Sequence, residues 1–229
     1  SLLCGFLGCD RAPFNPLLAA LPRMIHAPAS EPDADNWIVH LVRLAAAESR
    51  QKQPGGEAVL ERMSEMMFVD AVRRYADTLP QDSRGWLAGL RDRFVARALA
   101  LMHAAPATEW TVDELGRRVG LSRSALHERF SEMIGQPPMQ YLASWRMQVA
   151  ATLLRSTNAT VAAVALEVGY DSEAAFARAF KRLTGTPPAA WRRNAVRRTP
   201  ATRPQETSPS AVAQSPPVLE EEIVERPRR

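Results

Sequence analysis

Apolar residues recur at helical spacing along most of the chain. Over 35–50, Trp37, Leu41, Leu44 and Ala45 fall on one side of a helix with a charged back. Pro54-Gly55-Gly56 breaks the chain, and a second stripe runs over 57–78 through Leu60, Met63, Met67, Val69, Ala71, Val72 and Tyr75. The two helices pack either within the subunit or against a second copy. Upstream, Leu2-Leu3-Cys4-Gly5-Phe6-Leu7 suits a strand closed by a turn cluster over 10–16. Leu17, Leu18, Leu21, Met24 and Ile25 then suit a short apolar-faced segment interrupted by Pro22. One strand makes no sheet, so its partners are expected in a missing N-terminal stretch or in another chain.

From residue 91 the pattern is helical and contains a duplication. Val119-Gly120-Leu121-Ser122, Leu126, Phe130 and Gly135-Gln136-Pro137-Pro138 are answered by Val168-Gly169-Tyr170-Asp171-Ser172, Phe176, Phe180 and Gly185-Thr186-Pro187-Pro188. The offset is 50 residues except between the turn glycines Gly120 and Gly169, where it is 49. In the first copy Thr111-Val112-Asp113-Glu114 has the capping-box form that starts a helix near Val112. Leu115 and Val119 face inward, Gly116 between them admits a close neighbour, and Gly120 supplies the left-handed residue that ends the helix. Leu121 plugs the corner, Ser122 caps the next helix, and Leu126, Phe130 and Met133 are its buried side. Two helices joined by a short Gly-containing turn make a helix-turn-helix. The second copy puts Val161, Val164 and Val168 inside, Ala165 in the place of Gly116, Gly169 and Tyr170 at the corner, and Asp171 or Ser172 at the cap.

Between the copies Pro137-Pro138 opens a helix whose stripe, Tyr141, Leu142, Trp145, Val149 and Leu153, runs to about Arg155. Roughly seventeen residues at about 1.5 Å each span about 25 Å. Major grooves on one face of B-DNA repeat every ~34 Å, so such a rod holds two reading helices near successive grooves. The predicted fold is therefore all-α over most of the chain. Two helix-turn-helix motifs share a connecting helix, preceded by a helical linker and a remnant strand of a barrel.

Charge supports this reading. Residues 92–198 carry 15 Lys and Arg against 9 Asp and Glu, a net of +6, whereas 1–91 and 199–229 each carry −1. A compact basic module between near-neutral flanks suits a polyanion. The stretch 199–229 holds six prolines and the acidic run Glu220-Glu221-Glu222 without apolar periodicity, and is expected to be a disordered tail. No run approaches the roughly eighteen apolar residues of a membrane span, and no basic-then-apolar leader follows Ser1. His26, His40, His103 and His127 lack metal-ligand spacing, and there is no phosphate loop, nucleophile elbow or His-Glu-x-x-His. An enzyme is not expected, nor a metal or cofactor. Cys4 and Cys9 read as two buried strand cysteines in preference to a redox or alkyl-acceptor pair. A helical interaction protein that never touches DNA is the other rival. The basic module and the twin motifs argue against it.

Residues 94–193 resemble the C-terminal DNA-binding domain of AraC/XylS-family transcriptional regulators. The resemblance is carried by Val119-Gly120-Leu121-Ser122, Leu126-His127-Glu128-Arg129-Phe130, Gly135-Gln136-Pro137-Pro138-Met139-Gln140-Tyr141-Leu142, Trp145-Arg146-Met147, Ala150, Leu153-Leu154, Val168-Gly169-Tyr170 and Phe176-Ala177-Arg178-Ala179-Phe180-Lys181. Gly185, Pro187-Pro188 and Trp191-Arg192 complete it. Residues 1–91 more weakly resemble the region following the cupin sensor in a subgroup of these regulators. The resulting division is 1–28 the end of a cupin-like sensor, 29–90 a helical linker or dimerisation region, 91–198 the double helix-turn-helix domain and 199–229 the tail. The resemblance implies a cytoplasmic, sequence-specific regulator of transcription, bound to double-stranded DNA and to no membrane. RNA polymerase, a small-molecule effector of the sensor and a second copy are further partners it implies.

In a helix-turn-helix the early outward side chains of the second helix reach base edges. In copy one these are Arg123, Ser124, His127 and Glu128. Arg suits guanine and Glu accepts from cytosine. In copy two they are Glu173, Ala174, Ala177 and Arg178, a set poor in hydrogen-bonding groups, so copy two is expected to give shape readout and phosphate anchoring more than base discrimination. Arg129, Lys181, Arg182, Arg192 and Arg193 are the expected phosphate neutralisers. Arg146 is expected to pair with an internal carboxylate, and Trp145 and Trp191 to be core or corner residues.

Overall fold

The computed structural model describes residues 12–25, 37–80 and 82–198. The expected strand at 2–7, both cysteines, His26 and the tail lie outside these. Within them the chain is helical: α1 Pro16–Ala20, α2 Trp37–Gln51, α3 Gly56–Thr78, α4 Trp86–Gly89, α5 Arg93–Ala104, α6 Val112–Val119, α7 Arg123–Ile134, α8 Pro138–Ser156, α9 Val161–Glu167, α10 Glu173–Thr184 and α11 Pro188–Arg198.

Local chemistry sets the two helix-turn-helix motifs. The Thr111 side chain accepts from the Glu114 amide and opens α6, and Ser122 accepts from Ala125 and opens α7. Thr160 and Ser172 do the same for α9 and α10 through Ala163 and Ala175, so Ser172, of the two candidates, is the cap. Gly120 ends α6 at φ +86°, where a side chain would be strained. The caps of the first helices stand 49 apart and those of the second 50, which makes Asp171 the extra residue of the second turn. The amides of Gly120 and Leu121 both reach the Gly116 carbonyl at 2.9 Å. A Cβ on Gly116 would sit 2.8 Å from the Leu121 oxygen. In the second motif the matching place holds the Ala165 methyl, which is fully buried.

Two cores result, and α8 belongs to both. The first packs Val95, Leu99 and Met102 of α5, Leu115 and Val119 of α6, Leu126 and Phe130 of α7, and Tyr141 and Leu142 from the start of α8. The second packs Met147, Ala150, Ala151 and Leu154 from the rest of α8 against Val164, Val168, Phe176 and Phe180. The stripe expected on α8 is thereby corrected: Val149 and Leu153 are only half-buried, because serving two lobes turns the buried line to Met147, Ala151 and Leu154. Trp145, Val149 and Leu153 instead line a groove of about 420 Å³ with Phe14, Leu17 and Trp86. At 19 residues α8 is about 28 Å long.

The first lobe begins ahead of residue 91. Gly85 donates to the Met133 carbonyl at 2.6 Å, and Leu87, Ala88 and Gly89 of α4 are buried where α4 packs on α7. Phe14, far upstream, donates its amide to Gln148 Oε1 at 3.0 Å and sets its ring edge-on to Tyr141. Helices α2 and α3 pack on each other. Their expected stripes are buried only in part, at Leu41 and Ala45, while Trp37, Leu44 and Val69 remain 42%, 58% and 45% exposed.

Candidate nucleic-acid interface

Each second helix has its apolar side committed to a core and its other side free. On α7, Leu126 and Phe130 are fully buried, while Arg123, Ser124, His127, Glu128 and Arg129 are all exposed. Positions 123, 124, 127 and 128 share one side of the helix by spacing. On α10, Phe176 and Phe180 are fully buried, Glu173, Ala174 and Arg178 are exposed, and Ala177 is half-buried. The two presented surfaces differ in chemistry. The first offers a guanidinium, a hydroxyl, an imidazole and a carboxylate, and the second one carboxylate, two methyls and one guanidinium.

The cations expected at phosphates fall into two groups. Lys181, Arg182 and Arg193 are exposed. Arg123 lies 3.5 Å from Asp113 in an open pair, which water and salt screen. Arg129 is held more firmly: its Nε and Nη2 donate to Asp92 Oδ2 at 2.8 and 2.5 Å, and it lies over the Phe94 ring. Asp92 also caps α5 through the amides of Phe94 and Val95. Burial alone would raise the Asp92 carboxyl, but Arg129 and the two amides outweigh it and hold the group below its ordinary range. Arg192 is half-buried, bonded to the Leu154 carbonyl at 3.2 Å and to that of Ala159. These bonds tie α11 to the end of α8.

Arg146 departs from expectation. It is internal, but its partners are the carbonyls of Pro106, Thr108 and Gly169 in place of a carboxylate. Trp145 and Trp191 are half-buried against the first and second cores respectively.

Sequence reasoning passed over a polar chain behind the first lobe. Trp86 Nε1 donates to the Tyr141 hydroxyl at 2.9 Å, and that hydroxyl lies 2.8 Å from His103 Nε2. Since the Tyr141 oxygen already accepts from Trp86, its own proton is free to go to an unprotonated Nε2. Burial drives His103 down to about 4 and pushes Tyr141 up. The His103 ring also stacks on Trp145, centroids 4.0 Å apart. Nothing in the local sequence marks this chain, whereas Asp92 ahead of Phe94-Val95 carries an ordinary cap signal. Among the described residues no group of three or more His, Cys, Asp or Glu gathers as metal ligands, and no helix is long and apolar enough to cross a membrane.

Two capped helix-turn-helix units on one shared helix, each showing a free second-helix face within a basic module, define a DNA-binding domain of the double helix-turn-helix class. Comparison with known proteins agrees. The family model for a helix-turn-helix domain matches residues 115–194, and a cupin model matches residues 1–77, which takes in α2 and nearly all of α3. An AraC-like transcription regulator of Streptomyces lividans is 39% identical over 180 residues, 78% of this chain and 58% of its own length. The transcriptional regulator AlkR of Acinetobacter baylyi is 33% identical over 169 residues, 73% of this chain and 55% of its own. Among solved structures, the DNA-binding domain of the global transcriptional factor AdpA, in complex with a target DNA, is 30% identical. It covers 48% of this chain and 98% of its own with a TM-score of 0.46. The chain is thus similar to AraC-like transcription regulators over more than two thirds of its own length. It spans little more than half the length of the curated relatives it matches.

Proposed function

We propose that the chain binds a specific double-stranded DNA site and regulates transcription from it. The first reading helix, α7, discriminates bases, and the second, α10, anchors. The observation that carries this is the free face of each second helix, set on lobes that α8 joins at a length of about 28 Å. That length suits successive major grooves, about 34 Å apart. Arg123, Ser124, His127 and Glu128 read base edges, with Arg178 and Glu173 the polar readers of the second groove beside Ala174 and Ala177. Lys181, Arg182 and Arg193 neutralise phosphates. Arg129 and Arg192 reach phosphate only by giving up the oxygens they hold. The roles of the relatives support regulation of transcription, and the cupin match supports a small-molecule effector. Contact with RNA polymerase, a homodimer through the exposed side of α2 and α3, and a cytoplasmic location belong to the same proposal.

Selection of bound duplexes from a random pool, followed by footprinting, tests the reading. A single consensus with protection in two successive major grooves is expected. No enriched sequence, or protection confined to one groove, refutes it.

A further inference from the structure

We infer that Arg146 is a positioning residue that fixes the two reading heads relative to each other, by tying the loop before the first helix-turn-helix to the turn inside the second. Its Nε donates to the Pro106 carbonyl at 2.7 Å, Nη2 to Thr108 at 2.9 Å and Nη1 to Gly169 at 3.2 Å. The first two carbonyls lie in the loop between α5 and α6, and the third lies in the turn between α9 and α10. One planar group rooted on α8 therefore holds backbone from both lobes.

The lobes also touch at this point. A Cβ on Gly169 would stand 2.6 Å from the Ala107 oxygen and 2.8 Å from the Ala107 Cα, so the two segments meet backbone to backbone. The Arg146 guanidinium lies over the Tyr170 ring at 5.9 Å, and Tyr170 sets its edge against Phe176 at 5.7 Å. Phe176 is the fully buried anchor of α10. A continuous line of contact thus runs from the loop ahead of α6, through the guanidinium, to the second reading helix.

Why this matters follows from the geometry of α8. Long helices curve gently, so a single helix passing between two cores does not by itself fix the angle between them. A second attachment, away from the helix axis, adds the brace that sets that angle. Arginine suits the position because its fork presents five donors in one rigid plane and stays charged at every working pH. Three carbonyls from two segments are satisfied together, which a lysine ammonium with no fixed plane does less well. The carboxylates that attract it through space, Glu109 before α6 and Asp171 in the turn before α10, lie one on each lobe.

The consequence for DNA rests on the two-groove reading above, whereas the brace itself is testable without DNA. The full chain with Cys4 and Cys9 replaced by Ser is spin-labelled at R117C on α6 and L166C on α9, both exposed and outside the proposed reading faces. The distance distribution is then measured by double electron–electron resonance. A narrow distribution is expected, broadening at least twofold in R146M and by less in R146K. On the duplex selected with the unaltered chain, R146M is expected to lose tenfold or more in affinity. On a duplex holding only the first half-site it stays within twofold, and the penalty for one base pair inserted between the half-sites shrinks. A distribution in R146M as narrow as in the parent overturns the inference, as does equal loss on both duplexes. If R146M fails to fold by circular dichroism, R146K takes its place, and a width equal to the parent's overturns it. A chain that selects no duplex refutes the DNA reading alone, while the distances still decide the brace.

Discussion

Acidification is expected to loosen the first lobe through His103. Its ring is half-buried against Trp145, and Nε2 takes the Tyr141 hydroxyl proton, so the folded protein holds the imidazole neutral down to about pH 4. The unfolded chain binds that proton at about pH 6.5. Between these values the unfolded state carries more protons, so stability rises with pH from about 4 to 6.5 and is flat above. Moving from pH 7 to pH 5 costs about 2 kcal/mol on these values, and the partial exposure of the ring reduces this to about 1 kcal/mol. For a lobe of this size that lowers Tm by roughly 4–8 °C. Thermal unfolding followed by circular dichroism at pH 7 and pH 5 measures it, with H103F as the control. Phenylalanine keeps the stack on Trp145 and removes the titration, so its Tm should change much less over this interval. A parent Tm that does not fall, or an H103F drop equal to the parent's, refutes the reasoning.

Replacing Asp92 by Ala removes the α5 cap and the Arg129 partner together, and should cost about 2 kcal/mol in urea unfolding at pH 7. The Asp92 carboxyl is held low in the folded state, so that difference between parent and variant should fade only below about pH 4. On the selected duplex, H127A and E128A should each weaken discrimination at one base pair by about 1–3 kcal/mol, measured by competition with single-base variants. K181A and R182A should weaken binding to all sequences alike, each reducing the slope of log affinity against log salt by about 1. F176A should lower stability by about 3–5 kcal/mol, since its ring is wholly enclosed in the second core.

What the amino-acid pattern made legible was local chemistry. Thr111 and Ser122 cap helices within three residues of themselves, and Gly120 ends one where it stands, so the twin motifs were readable, although the Thr160 cap was passed over and the choice between Asp171 and Ser172 stayed open. The exposed faces of α7 and α10 followed from the same periodicity. The side chains that act at a distance were not readable. Arg146 was expected on a carboxylate because only charged partners are visible as letters, whereas its acceptors are backbone carbonyls, which every residue possesses. The buried line of α8 was misplaced at Val149 and Leu153 for a related reason. A helix shared by two lobes changes its inward side midway, and no single period describes it. The meeting of His103 with Trp86 and Tyr141 joins residues up to 55 apart in the chain, and only packing reveals it.

The sharing of α8 has a further consequence for how sites of different length could be read. Adding one residue to that helix would turn everything beyond it by about 100° and advance it by only about 1.5 Å, swinging the second head away from the duplex. The span between grooves is therefore a discrete quantity, adjustable in whole helical turns or not at all. New operators are open to this scaffold through the side chains that α7 and α10 present, at a footprint whose length stays constant.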